Sequence, residues 1–118
     1  MEETAVEEPG LILAQKWEDV AVYMFSCILR DLPKSERYTL GADIRSLLWQ
    51  VEDVLVQLAL RSGSRWNHLN FVDVKAKTLM SMIRVGIKAG VIPQRRHEPV
   101  SQKLDEIGRI VGGLKKVR

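Results

Sequence analysis

The sequence has few of the residues that build disulfide frameworks or metal centres. Its one cysteine, Cys27, can neither form an intramolecular disulfide nor complete a multi-cysteine zinc site. Two histidines, His68 and His97, are too few for the common structural zinc ligand sets. A chain of 118 residues buries about two-thirds of its unfolded surface when it folds. We therefore expect a fold that needs no disulfide, metal or cofactor.

Long apolar runs are also missing. No stretch approaches the roughly 18 residues that a membrane-spanning helix requires, and the first residues are acidic, unlike those of a secretory signal peptide. The composition is that of an ordinary globular protein, with 46% hydrophobic and 28% charged residues. These features predict a small soluble cytoplasmic domain without membrane contact.

The sequence contains no recognisable catalytic motif. It lacks the glycine-rich phosphate-binding patterns, since Gly108, Gly112 and Gly113 lie inside a predicted helix rather than after a strand. It also lacks the Glu-x-x-His pairs that hold two metal ions in four-helix bundles. The adjacent carboxylates at 52–53 and 105–106 point to different sides of their helices. We predict a protein that is not an enzyme.

Charge is distributed unevenly along the chain. Residues 1–10 contain four glutamates and no base, end in Pro9-Gly10 and show no apolar periodicity, which predicts a flexible acidic tail. Residues 61–118 contain thirteen bases and four acids, a net charge of +9 on that half alone. A basic surface of this size attracts polyanions over long distances. The alternative is a charged face that only maintains solubility.

Apolar residues at three- and four-residue spacing predict four amphipathic helices within a single domain at 11–118. The first runs from Leu11 to Leu32, before Pro33. The second begins either at Pro33 or near Leu40 and ends before Gly63. The third is expected from Leu69 to near Gly90, before Pro93, and the fourth from about Pro99 to Leu114. Short loops between helices of this length indicate an all-α, antiparallel, up-down-up-down four-helix bundle.

Basic residues form a row along the third predicted helix. Lys77, Arg84 and Lys88 follow one another at steps of seven and four, which aligns them on one face opposite the apolar residues. We interpret this row as uncompensated by acidic neighbours. Because like charges this close repel one another, such a row indicates an anionic partner.

Four more bases extend the positive surface. Arg95 and Arg96 lie in the next loop, and Arg109 and Lys116, seven residues apart, form a second row on the fourth helix. Aromatic residues are sparse on these rows, so base stacking is not supported. Contact with the phosphate backbone is the expected mechanism of nucleic-acid or partner binding, with little sequence specificity.

Three further residues are candidates for contacts between subunits. Gly108 and Gly112 lie four residues apart in a helix, where each glycine costs about 1 kcal/mol relative to alanine, and small residues allow helices to approach closely. That approach could occur within the bundle or between copies. Trp49 lies at the edge of an apolar stripe, where it would contact a neighbouring subunit or pack in the core.

Two segments resemble a known group of bacterial four-helix-bundle proteins. The run Leu32-Pro33-Lys34-Ser35-Glu36-Arg37-Tyr38-Thr39-Leu40-Gly41, followed by Ile44-Arg45, is similar to the connection between the first two helices of that superfamily. The superfamily includes proteins encoded in ribosomal-RNA intervening sequences and the accessory variability determinant proteins of diversity-generating retroelements. The run Glu106-Ile107-Gly108-Arg109-Ile110-Val111-Gly112-Gly113-Leu114 is similar to the fourth helix of the accessory branch.

The resemblance implies a non-catalytic member of a homo-oligomeric ring, a pentamer with a central opening. Proteins of that branch bind the reverse transcriptase and the template-repeat RNA of the retroelement, with DNA as a further candidate ligand. They support error-prone copying of a template repeat into a variable gene. The positions that carry over are Arg84 and Arg109, while Lys77 and Lys88 are inferred from sharing a row with Arg84.

Two other functions remain open from the sequence. The first is a bundle associated with ribosomal RNA or ribosomes, as in the intervening-sequence branch. The second is a structural oligomerisation module whose charge only keeps it soluble. The module predicts no salt-sensitive binding of nucleic acid.

Overall fold

The computed structural model describes residues 9–117, which form four long helices without a strand in that range. Helix α1 comprises an α-helical part at Pro9–Tyr23, a π-helical segment at Met24–Ile28 and a last α-helical turn at Leu29–Asp31. Helix α2 spans Leu40–Ala59, α3 spans Arg65–Lys88, and α4 spans His97–Lys115. The predicted all-α class is confirmed. Within 9–117, no helix is long and apolar enough to cross a membrane.

The ends of the helices differ from the sequence prediction in specific places. Helix α1 already includes Pro9 and Gly10, which were expected to belong to the tail, and residues 1–8 of the expected tail lie outside the described residues. Helix α2 begins at Leu40, which decides between its two predicted starts. Helix α3 begins four residues before Leu69, since the Ser64 side chain accepts a hydrogen bond from the Asn67 amide at 3.2 Å.

The loops use the turn residues that the sequence indicated. Gly63, between α2 and α3, has a φ of +79°, a conformation that glycine adopts without steric cost. Gly90 follows α3 with a φ of +82°. Pro33 and Pro93 each precede a single 3₁₀ turn, at Lys34–Glu36 and Gln94–Arg96. These turns return the chain to the bundle within a few residues.

Each helix packs against two others around one apolar core. Helix α1 contacts α2 and α4, and α3 contacts the same two helices. The Trp17 side chain is fully buried, and its indole N–H donates a hydrogen bond to the Leu48 carbonyl oxygen at 3.3 Å. No charged side chain is buried in the described part of the chain. The charges therefore lie outside the core and are available for other contacts.

Gly86 is the one glycine of α3, and its missing side chain makes room for the following loop. Its carbonyl oxygen accepts hydrogen bonds from the amides of Val91 and Ile92, at 2.9 and 3.1 Å. A Cβ at this position would lie 2.5 Å from Ile92 Cδ1 and 2.9 Å from Ile92 Cγ1. Ile92 itself is buried. The close packing of Ile92 against α3 therefore depends on glycine at position 86.

We predict that Gly86→Ala destabilises the protein although alanine is the better helix former. The clash with Ile92 should cost about 1–3 kcal/mol, which outweighs the gain of about 1 kcal/mol in helix propensity. Gly113→Ala is the matched control, because a Cβ at Gly113 meets no atom within 4 Å. Urea unfolding of both variants measures the difference. A Gly86→Ala protein as stable as Gly113→Ala would contradict this account of the packing.

Candidate nucleic-acid interface

A groove runs between α3 and α4 on the basic half of the molecule. Its volume is about 600 Å³. Three of the predicted basic residues line it: Lys77 and Arg84 from α3, and Arg109 from α4. The other lining residues are Asp73, Ala76, Met80, Leu104, Asp105 and Gly108. The fold thus brings together, in one concave surface, basic residues that lie up to 32 positions apart in the sequence.

Gly108 and Gly112 do not bring α4 into close contact with another helix of the same chain. A Cβ at either position would meet no atom within 4 Å. The interpretation of close approach within the bundle is therefore wrong. Gly108 instead lines the groove, where the missing side chain leaves open space between the basic residues. Contact of Gly108 or Gly112 with another subunit remains a prediction.

Lys77 has an acidic partner, so the interpretation of an uncompensated row was wrong at this position. Its Nζ lies 2.6 Å from Asp73 Oδ1, one helical turn earlier. Asp73 is also 3.8 Å from the Nζ of Lys115, which donates a hydrogen bond to Asn70 Oδ1 and lies 4.9 Å from the centroid of the Trp66 ring. The four-residue spacing of Asp73 and Lys77 was visible in the sequence. The contact of Asp73 with Lys115 depends on the packing of α3 against α4.

Five of the predicted binding residues are exposed and form no ion pair with any described residue. They are Arg84, Lys88, Arg95, Arg109 and Lys116. Lys88 lies one turn beyond Arg84 on α3, and Lys116 follows Arg109 by seven residues, just past the end of α4, so both rows continue past the groove. Cations in this setting can pair with an external anion without breaking an internal bond.

Arg96 occupies a different environment. Its Nε lies 2.7 Å from Asp31 Oδ2, and only about a fifth of each side chain is exposed. The hydrogen bond that Arg96 donates to the Asp31 carboxylate raises the pKa of Arg96 further above its usual range, so the guanidinium stays charged. This contact ties the turn before α4 to the end of α1. No local spacing could have indicated it, since the two residues lie 65 positions apart.

The outer face of α1 and α2 is apolar and carries Trp49. The Trp49 side chain is 56% exposed, so the alternative of core packing is wrong. Its ring lies 5.8 Å from that of Phe25, measured between centroids, and Val22 and Val56 are also exposed on these helices. Large apolar side chains grouped in this way favour contact with another protein surface. The role of Trp49 as a subunit contact remains a prediction.

The outer face of α1 and α2 also carries two carboxylates of like charge. Partial burial, together with the negative charge of Glu18 on α1, raises the pKa of Glu52 on α2 above its ordinary value. Neither glutamate forms an ion pair with a described residue. The ionised form of Glu52 is therefore disfavoured in the folded protein.

A family model described as bAvd-like, the bacterial accessory variability determinant, matches residues 11–118. No curated protein and no solved structure matches the chain. The family match confirms the resemblance seen in the connection at 32–45 and in the fourth helix.

We predict that removing the exposed groove arginines leaves the fold intact. Arg84→Ala and Arg109→Ala should each change Tm by no more than about 2 °C, because neither side chain has a partner among residues 9–117. Arg96→Ala should lower Tm by roughly 3 °C or more, since it leaves the half-buried Asp31 carboxylate without its cation. Thermal unfolding followed by circular dichroism measures all three. An equal fall for Arg84→Ala and Arg96→Ala would mean that Arg84 is structural.

We predict that Glu52→Gln stabilises the protein at neutral pH. The raised pKa means that folded Glu52 binds its proton more tightly than the unfolded residue does. The cost of ionising it is therefore absent below the unfolded value of about 4.5 and grows as pH rises through the folded pKa. The variant should gain about 2 °C in Tm at pH 7 and nothing at pH 4.

Asp53→Asn serves as the control for Glu52→Gln, because it removes a charge from an exposed neighbouring residue of α2. Its Tm should differ little from that of the parent at both pH values. A gain for Glu52→Gln that is the same at pH 4 and pH 7 would show that ionisation of Glu52 is not its cause.

Proposed function

The chain belongs to the bAvd-like family, and on that premise we propose that it is a non-catalytic accessory protein of a diversity-generating retroelement. In this role it binds the reverse transcriptase and the template-repeat RNA and supports mutagenic reverse transcription. The observation that carries the proposal is the groove between α3 and α4. It brings Arg84 of α3 and Arg109 of α4 together in one surface, beside Lys77, which is paired with Asp73.

The expected contacts with nucleic acid are electrostatic. Arg84 and Arg109 line the groove, and Lys88, Arg95 and Lys116 extend the positive surface beyond it. Phosphate oxygens are the natural ligands of such cations. Because each neutralised phosphate releases counterions, binding should weaken steeply with salt and depend little on base sequence. DNA is a further candidate ligand for the same reason.

We further propose that the four helices run up-down-up-down and that the bundle assembles into a homopentameric ring in the cytoplasm. Two contacts support antiparallel neighbours: Arg96, just before α4, reaches Asp31 at the end of α1, and Arg65 at the start of α3 donates to the Val117 carbonyl oxygen just beyond α4. The Trp49 face is the proposed subunit contact, since it leaves the α3–α4 groove open. Gly108 is assigned to the groove, and Gly112 lies one turn further along α4.

The first experiment isolates the protein from cells that carry its native locus, at low and at high salt. Bound RNA is sequenced and bound proteins are identified. The proposal predicts recovery of a reverse transcriptase together with its template-repeat RNA. Recovery of ribosomal RNA instead would favour the intervening-sequence type of function, and recovery of no nucleic acid at low salt would favour a purely structural module.

We predict that the double variant Arg84→Glu/Arg109→Glu loses RNA binding while it remains folded. Reversing two charges on the groove should weaken binding by at least about tenfold at 100 mM salt. The control is Lys34→Glu/Arg37→Glu, which changes the net charge equally but on the exposed connection between α1 and α2. Filter binding at several salt concentrations measures both. Equal losses in the two variants would mean that only net charge matters, not the groove.

We predict that Trp49→Ala shifts the assembly toward monomers. The substitution removes a large exposed apolar side chain and its contact with Phe25, and such residues dominate the energetics of subunit contacts. Trp66→Ala is the matched control, because Trp66 is also 56% exposed but lies at the start of α3. Sedimentation velocity over a range of protein concentrations measures the oligomeric state. An unchanged oligomer in Trp49→Ala would place the contact elsewhere.

A further inference from the structure

The α3–α4 groove differs from a plain basic surface because apolar side chains also line it. Apolar groups from Ala76, Met80 and Leu104 contribute to it, and charged groups from Lys77, Arg84 and Arg109 accompany them. Ala76 and Leu104 are buried and Met80 is half-buried, so the apolar part lies deeper than the exposed guanidinium groups. A ligand that fits this groove therefore carries negative charge beside a flat or apolar body.

The size of the groove limits what can enter it. Its volume of about 600 Å³ falls within the roughly 300–1,000 Å³ typical of small-molecule sites. Part of this space exists because Gly108 has no side chain, and no atom lies within 4 Å of where its Cβ would be. This volume is large enough for one nucleotide-sized group beside Met80. A duplex is a wide rigid cylinder that can touch the exposed cations at the rim but cannot place its paired bases inside.

We infer that the groove recognises single-stranded nucleic acid in preference to duplex, an inference that rests on the proposed function. Phosphates of the strand pair with Arg84 on α3 and with Arg109 on α4. A nucleoside between them lies against the half-buried Met80, which offers an apolar contact without reading the identity of the base. No aromatic ring lines the groove, so the contact relies on this shape and not on ring stacking.

The carboxylates of the groove limit the positions at which a phosphate can bind. Asp73 already holds Lys77 and Lys115, which lowers the capacity of Lys77 to attract another anion. Asp105 is exposed and pairs with no described cation, so it repels a phosphate directly above it. The two arginines therefore remain as the phosphate positions within the groove.

Substitution of Gly108 tests binding in the groove separately from the stability of the fold. Gly108→Leu fills the groove with a side chain that meets no existing atom at its Cβ, and it replaces glycine by a better helix former. The variant should therefore be at least as stable as the parent. Gly113→Leu is the matched control: its Cβ would also meet no atom within 4 Å, but Gly113 does not line the groove.

The binding of a labelled single-stranded RNA and of the same sequence as a duplex is measured by fluorescence anisotropy at fixed salt. The parent should bind the single strand at least about tenfold more tightly. Gly108→Leu should lose about tenfold for the single strand, which corresponds to roughly 1.4 kcal/mol, and should bind the duplex unchanged. Gly113→Leu should match the parent for both ligands.

The outcomes distinguish a failure of the single-strand preference from a failure of the proposed RNA binding. Equal affinity of the parent for single strand and duplex, or an unchanged single-strand affinity in Gly108→Leu, overturns the inference while the proposed binding of RNA stands. A parent that binds neither form at low salt overturns both. A thermal unfolding curve of Gly108→Leu accompanies the binding data, so that a loss of binding is read only from folded protein.

Discussion

The burial of Trp17 between α1 and α2 sets the arrangement on which the other surfaces depend. The indole is fully enclosed and donates its N–H to the Leu48 carbonyl oxygen, so the largest aromatic side chain of the core leaves no polar atom unpaired. Because apolar residues fill the core, no charged side chain is buried within the described part of the chain. The charged residues are therefore placed on surfaces, where those without an internal ion pair, such as Arg84 and Arg109, can contact partners.

Those surfaces divide the molecule into two unlike halves. Residues 9–60 carry five bases and seven acids, whereas residues 61–118 carry thirteen bases and four acids. The first half forms α1 and α2, with the exposed Phe25–Trp49 pair between them. The second half forms α3 and α4 and the groove between them. The proposed subunit contact and the proposed nucleic-acid contact therefore lie on different pairs of helices.

The sequence predicted the four helices because apolar periodicity is a local pattern that does not depend on how the helices pack. The family resemblance indicated Arg84 and Arg109 separately, and the packing of α3 against α4 places both in one groove. The prediction of an uncompensated row was wrong at Lys77, whose partner Asp73 lies one turn away. The bond between Arg96 and Asp31 and the open space at Gly108 could not be predicted, because both arise only when α4 docks on α1 and α3.

The proposed function depends most on the placement of RNA on α3 and α4. Ultraviolet cross-linking of the protein to its template-repeat RNA, followed by mass spectrometry of the linked peptides, tests it directly. The account predicts cross-links in the peptides that contain residues 73–88 and 104–116, on both sides of the groove. Cross-links concentrated in α1 and α2, around Phe25 and Trp49, would contradict it.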